Sequence, residues 1–284
     1  MILTDTHSHL YDNKFAEDRS DMIARAFNEN VQRIFIPNVD QHTVNGMMDI
    51  VAAHPQKCFP MMGLHPCHVK EGFKAELAVL KTHLDAGGFC AVGEIGMDLY
   101  WDKTFVEEQK EAFRTQIHWA KEKGLPIAIH CRDAFDEIFE ILEDEKDELL
   151  RGVFHCFSGT IEQAQRAIDL NFYLGIGGVV TFKNATLPQV LKSIPLKHIL
   201  LETDAPYLAP MPYRGKRNES AYILYIADKL SDIYECSVEQ IKKITTENAE
   251  ELFQISKYLI RWRKYWLFIC LLYTSPSPRD VEES

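Results

Sequence analysis

The sequence predicts a single (β/α)8 TIM-like barrel, an α/β fold whose functional site lies at the C-terminal ends of the strands. Three observations predict it. Eight short apolar runs alternate with amphipathic stretches along most of the 284 residues. Alternation of this kind builds a parallel sheet, and a (β/α)8 barrel takes about 250 residues as one domain. Six of the eight runs lead into a histidine or a carboxylate, so the chain aims polar groups at one end of the sheet.

The runs are Ile2–Leu3, Arg33–Pro37, Phe59–Leu64, Phe89–Val92, Pro126–Ile129, Gly152–Phe154, Phe172–Ile176 and His198–Leu201. Each is short and nearly continuous, as strands buried on both faces are. Helical patterns fill the gaps. Thr104–Lys123 carries Phe105, Ala112, Phe113, Gln116, Ile117 and Ala120 at helical spacing, with Gly124 as its stop. Asp133–Glu145 shows Phe135, Ile138, Phe139 and Leu142 on one face. Thr104 with Glu107, Thr160 with Gln163 and Ser237 with Gln240 read as capping boxes. Eight repeats favour closure into a barrel over an open doubly wound sheet.

The first strand leads into Asp5-Thr-His7-Ser-His9. Residues i and i+2 on a strand share a face, so both imidazoles can reach one ion. The third run ends at His65, the fourth at Glu94, the fifth at His130, the sixth at His155 and the eighth at Asp204. Glu94 can bridge two ions, one oxygen on each. Asp204 would face the His7/His9 pair and could accept a proton from an attacking water. Glu202 shares the face of Asp204 but lies deeper, either orienting a ligand or pairing with a charge inside the barrel. Asp98 is a supporting residue or a helix cap. The donor set of His7, His9, Glu94, His130, His155 and Asp204 suits divalent ions such as Zn²⁺, Mn²⁺ or Mg²⁺. His42, His54, His68, His83, His118 and His198 read as surface or packing residues. Gly175, Gly177 and Gly178 either admit a phosphate to backbone amides or serve tight turns. Arg214-Gly-Lys-Arg217 is either a phosphate-facing charge or a solvated run.

These motifs resemble the TatD family of metal-dependent deoxyribonucleases, within the amidohydrolase-like TIM-barrel hydrolases. The carriers are DTHSHL at 5–10, GLHP at 63–66, VGEIGMDLYW at 92–101, PIAIHCRDA at 126–134, HCFSGT at 155–160 and LLETDAPYLAP at 200–210, with PYRGKRNES at 212–220 similar to the family's RGKRNEP element. The resemblance covers roughly residues 1–256. It implies two divalent cations, one on His7, His9, Glu94 and Asp204, the other on Glu94, His130 and His155, with His65 beside the scissile phosphate. It implies hydrolysis of DNA phosphodiester bonds, from 3′ ends or single strands. Ser220 departs from the pattern, where the family has proline. An alternative is hydrolysis of another ester or amide, such as an aminoacyl-tRNA ester. No lysine ends a strand; Lys183, the nearest, weakly serves a carbamylated-lysine site.

Composition limits these readings. Hydrophobic residues are 46% and charged residues 26%, ordinary for a soluble domain. A net charge of −11 argues against broad electrostatic adhesion to nucleic acid, although bound cations can reverse the field inside a cleft. The seven cysteines form no CxxC pair, which leaves reduced thiols in a cytoplasmic protein. No signal peptide opens the chain, no segment is long enough to span a bilayer, and a monomer is expected. Residues 257–284 differ from the rest. They hold a basic aromatic cluster, a short apolar run and TSPSPRDVEES, and read as an artefactual or disordered tail outside the 1–256 barrel.

Overall fold

A computed structural model describes residues 1–260. Eight parallel strands run in sequential order around one sheet. They are β1 (Leu3–Asp5), β2 (Val31–Pro37), β3 (Cys58–Met62), β4 (Ala91–Asp98), β5 (Ile127–Arg132), β6 (Gly152–Phe154), β7 (Phe172–Ile176) and β8 (Ile199–Leu201). All eight expected strands form, β6 and β7 with the expected bounds. The ring is nearly closed between β8 and β1. Thr6 donates to the Leu201 carbonyl at 2.9 Å, and Ser8 bridges in parallel to Ala205. This is the TIM-like barrel the alternation predicts.

The helices are α1 (Arg19–Asn28), α2 (Val44–Ala53), α3 (Phe73–Ala86), α4 (Val106–Lys123), α5 (Phe135–Asp144), α6 (Ile161–Asp169), α7 (Leu187–Leu191), α8 (Ile223–Tyr234) and α9 (Val238–Phe253). Each of the first eight follows the strand of the same number. α9 packs against β1 and β8, where Asn248 donates to the Leu196 and Ile199 carbonyls at 3.0 and 2.8 Å. Residues 255–260 are also helical. Tyr258 is buried there, its ring 5.4 Å from that of Phe59. The expectation for the tail from residue 261 onward lies outside the described residues. Among the described residues no helix is long and apolar enough to cross a membrane.

Local signals meet mixed outcomes. Gly124 ends α4 in the left-handed conformation, and the Thr160/Gln163 capping box forms complete. Ser237 accepts from the Gln240 amide. The Thr104 box does not form. Asp102 takes the Thr104 amide at 2.9 Å instead, and α4 begins after Phe105 with no side-chain cap. β4 also runs further than its apolar run, through Glu94 to Asp98. Its register against β5 shifts between Val92 and Ile95. Gly96 makes this possible: at φ 137°, a Cβ there would lie 2.1 Å from the His130 carbonyl, so no other residue allows the strands this close.

Candidate metal centre

The mouth of the barrel gathers every candidate ligand. His7, Glu94, His9, His155 and Asp204 are all buried. Glu94 stands at the centre, and its two oxygens face different partners. Oε2 lies 3.1 Å from His7 Nε2 and 3.5 Å from His9 Nε2. Oε1 lies 2.9 Å from His130 Nδ1, 3.3 Å from His65 Nε2 and 3.7 Å from His155 Nε2. Asp204 Oδ1 approaches His9 Nε2 at 3.5 Å and His155 Nε2 at 3.9 Å. Donor atoms sharing one ion at about 2.1 Å stand roughly 3.0–3.4 Å apart, close to these separations.

Backbone hydrogen bonds fix the two chain ends that face each other across the β8–β1 seam. The Asp204 amide donates to the His7 carbonyl at 2.9 Å, and the His9 amide donates to the Ala205 carbonyl at 2.7 Å. Asp5, beneath them, accepts from the Thr203 amide and hydroxyl at 2.9 and 2.6 Å. Burial still pushes its carboxyl up to about 7, against the hydrogen bonds from Thr203, Ser220 and His7.

The nitrogen of each histidine that faces away from the cluster decides what the other nitrogen can do. Asp98 Oδ2 lies 2.9 Å from His130 Nε2. Glu94 Oε1 stands at the same distance from Nδ1. Ionised carboxylates only accept, so both nitrogens carry protons here, and a cation beside Glu94 would take the place of the Nδ1 proton while Asp98 holds Nε2–H. Tyr11 donates its hydroxyl to the Pro37 carbonyl at 2.8 Å, so its oxygen accepts from His9 Nδ1 at 3.0 Å. His9 Nε2 is therefore the lone-pair nitrogen. Glu202 Oε1 stands 3.0 Å from His155 Nδ1, although the angle falls outside hydrogen-bond geometry. The pairing again leaves Nε2 of His155 to the cluster. Such carboxylate or hydroxyl partners are what orient metal-binding imidazoles. His7 stacks on His155 with ring centroids 3.5 Å apart.

His65 has the opposite arrangement. Its Nδ1 accepts from the Cys67 amide at 3.0 Å, so in the neutral ring the proton is on Nε2, the nitrogen that faces Glu94. His65 is thus built to donate a hydrogen bond at the cluster. Burial pulls its imidazolium down to about 4, against the attraction of Glu94, which keeps it neutral. Burial also pulls His155 down, but Glu202, Glu94 and Asp204 outweigh it and raise it to about 10. Burial raises the Glu94 carboxyl, yet His65, His7 and His155 hold it well below its usual range. Four carboxylates (Glu94, Asp98, Glu202 and Asp204) and five histidines gather at the mouth, with no lysine or arginine among them in the described residues. That donor chemistry fits divalent cations.

The groups of potential ligands fall into three: His7, His9 and Glu94; His7, His155 and Asp204; and His65, Glu94 and His130. The sequence reading brings the same residues together, but the geometry sets His155 against His7 and Asp204, and His65 with His130. Tyr11 was missed; its signal was a hydroxyl two residues beyond His9. Asp98 supports His130 and caps no helix: its Oδ1 accepts from the Tyr100 and Trp101 amides of the turn after β4 at 3.0 and 3.1 Å, while α4 starts at Val106. Glu202 stands beside His155 Nδ1 and accepts from the Cys156 amide at 2.6 Å.

Two subsidiary readings take another form. A Cβ at Gly175 would lie 2.3 Å from Glu202 Oε2, so this glycine makes room for a carboxylate, not a phosphate. Arg217 is consumed by Asp18, with contacts of 2.6 and 2.7 Å, and lies over the Phe15 ring. It ties its loop to the start of α1. Arg214 lies over Phe182 instead. Of the remaining histidines, His68 pairs with Asp40 and His118 with Glu145, both at 3.0 Å.

The comparisons with known proteins agree with this architecture. The family described as TatD related DNase matches residues 4–254. An uncharacterised metal-dependent hydrolase of Bacillus subtilis, YabD, is 41% identical over 256 residues, covering 90% of this chain and all of the relative. The 3′-5′ ssDNA/RNA exonuclease TatD of Salmonella typhimurium is 30% identical, covering 87% of this chain and 97% of the relative. The solved structure of the TatD homologue YjjV from Escherichia coli superposes with a TM-score of 0.83 at 28% identity, covering 89% of this chain and 98% of that one. The chain belongs to the TatD family of metal-dependent hydrolases.

Proposed function

We propose that the protein is a metal-dependent nuclease that hydrolyses phosphodiester bonds of single-stranded DNA from the 3′ end. The observation that carries the metal half is the set of partners around the histidines. Tyr11, Asp98 and Glu202 stand at the outer nitrogens of His9, His130 and His155, so a cation could take the place of a proton at the inner nitrogen of each, where Glu94 and Asp204 converge. The substrate half is supported by the Salmonella relative, which is named for 3′-5′ ssDNA/RNA exonuclease activity.

His7, His9, Glu94 and Asp204 would hold one divalent cation, and Glu94, His130 and His155 a second, with Mg²⁺, Mn²⁺ and Zn²⁺ as candidates. When bound, such a pair lowers the pKa of water and neutralises charge on a phosphoryl oxygen. The side chains do the rest. Asp204 accepts the proton of the attacking water at its carboxylate. His65, neutral, donates a hydrogen bond from Nε2 to a non-bridging phosphodiester oxygen and keeps its proton. Glu202 and Asp98 keep two ligand rings in place.

The test is a labelled single-stranded DNA ladder, with and without added Mg²⁺ or Mn²⁺, on protein whose metal content has been measured. Shortening from the 3′ end that depends on the cation is expected. Metal-loaded protein that leaves the DNA intact would overturn the proposal.

A further inference from the structure

Beyond the C-terminal ends of β5 and β6 the surface opens into a cavity of about 690 Å³, lined by Tyr100, Arg132, Phe135, Ser158 and Thr186 among others. Its size is that of a small-ligand pocket. It adjoins the metal centre through the chain itself: Arg132 stands two residues after His130, and Ser158 three after His155. Tyr100 and Arg132 line it together with Asp133 and Glu162, and Trp101 stands just outside it against Tyr100. Tyr100 and Trp101 are 53% and 68% exposed, with their rings packed edge-on at 4.9 Å. The Arg132 guanidinium lies 3.9 Å from the Tyr100 centroid and 5.0 Å from that of Trp101. No carboxylate pairs with it among the described residues.

An arginine laid on an aromatic face keeps its N–H edge free for a planar or tetrahedral anion. An exposed indole offers a face to any base. Both are anchored to the metal centre by one residue. Asp98 accepts from the Tyr100 and Trp101 amides with one oxygen and holds His130 with the other. The aromatic pair therefore stands at a fixed distance from the cluster. We infer that this cavity seats one nucleotide of a single-stranded polynucleotide next to the cleaved linkage, its phosphate on Arg132 and its base on Trp101. The inference rests on the nuclease reading for its substrate class, and adds the residues that make the site prefer a polynucleotide over a bare diester.

The experiment compares two substrates and one binding signal. One substrate is a single-stranded oligodeoxynucleotide carrying 2-aminopurine near its 3′ end; the other is the base-free diester methyl p-nitrophenyl phosphate. Trp101→Ala and Arg132→Gln should each lower kcat/KM for the oligonucleotide by about tenfold or more, mainly through KM. Both should leave hydrolysis of the small diester within about twofold of the parent. Trp101→Phe should recover most of the loss. Mixing with the parent protein should quench the 2-aminopurine fluorescence, and Trp101→Ala should abolish the quench. Equal losses on both substrates, or none on either, overturn the inference. If the parent cleaves neither substrate, the nuclease reading fails; quenching lost in Trp101→Ala then still supports the nucleotide seat, and its absence from the parent overturns it.

Discussion

Two clusters of charge lie near the same end of the barrel, and they are built on opposite rules. At the mouth, Glu94, Asp204 and Glu202 face histidines and, among the described residues, no lysine or arginine. Beside α1, Asp18 and Glu219 face Arg217 and Arg25, with contacts of 2.6 to 3.1 Å. The second cluster is neutral by itself and joins the loop after β8 to the loop before α1. The first is incomplete by itself, because its carboxylates converge on histidines whose only positive charge is a proton that a bound cation would displace. Both contain residues from motifs that look functional in sequence. The difference teaches that a charged residue's role is set by whether the fold supplies its counter-charge.

The sharpest way to break the comparison is Glu94→Gln. If the mouth cluster binds cations, this change removes the shared carboxylate while keeping its shape. Hydrolysis of labelled single-stranded DNA should fall by about 10³-fold or more, and metal analysis should show ions lost. Metal-free stability should fall, since the fold holds this carboxylate ionised against His65, His7 and His155. Unchanged metal content together with full activity would sink the metal-centre reading.

Next in size is Glu202→Gln, which weakens the support of one ligand ring without touching the cluster. Losing such an orienting partner costs about 10- to 100-fold in metal affinity or activity. Gly175→Ala should act in the same direction, because its methyl would strike Glu202 Oε2. A titration of activity against added Mn²⁺ separates this from general damage: the half-saturating concentration should rise, and excess cation should restore part of the rate. A lower plateau with the same half-saturation would contradict the orienting role.

Asp18→Asn tests the self-neutralised cluster, and the expected effect is on stability. Hydrogen bonds from Arg217 and then Arg25 hold the Asp18 carboxyl well below its usual range. A carboxyl lowered in the fold stabilises it above the unfolded value of about 3.9, and loses that contribution as pH falls toward the folded value. The variant should be less stable than the parent by about 1 kcal/mol at neutral pH, given partial exposure of the pair. The gap should close as the pH is lowered below about 4. Denaturant unfolding at several pH values reads both, and kcat/KM at neutral pH should stay within about twofold.

What the sequence made legible follows from the same contrast. The eight strands could be seen because each is largely buried on both faces, His130 and His155 because each directly follows an apolar run, and His7, His9 and Asp204 because they lie within a few residues of one. Glu94 was visible too, but its strand was cut short: the glycines around it look like a loop, and only the approach of β5 makes them a strand. Thr104 has the spacing of a cap, yet Asp102 competes for its amide. Arg217 could not be assigned, since its partner Asp18 lies far away in the chain. Tyr100, Trp101 and Arg132 escaped notice as a unit because the two segments meet only when β4 pairs with β5, where Asp98 faces Arg132.

Ser220 is the one departure from the family's pattern singled out above in the PYRGKRNES loop, and it gives the smallest expected effect. Ser220 begins the short 3-10 helix Ser220–Tyr222, is fully buried, and donates its hydroxyl to that of Ser8 at 3.1 Å. The first position of a helical turn has no intrahelical use for its N–H, so proline is tolerated there. Ser220→Pro would lose the hydroxyl that Ser8 and the Asp5 carboxyl share, worth about 1 kcal/mol. It would also restrict the unfolded chain, worth about 0.4–1 kcal/mol in the other direction. The two nearly cancel, so unfolding free energy should move by less than about 1 kcal/mol and kcat/KM by less than about twofold. Ser220→Ala loses the bond without the compensation and should be the less stable of the two. If Ser220→Pro instead lowers metal affinity, Ser8 would be reporting a tie between this loop and the His7/His9 pair on either side of it, and the boundary between the structural cluster and the metal centre would have to be redrawn to include both serines.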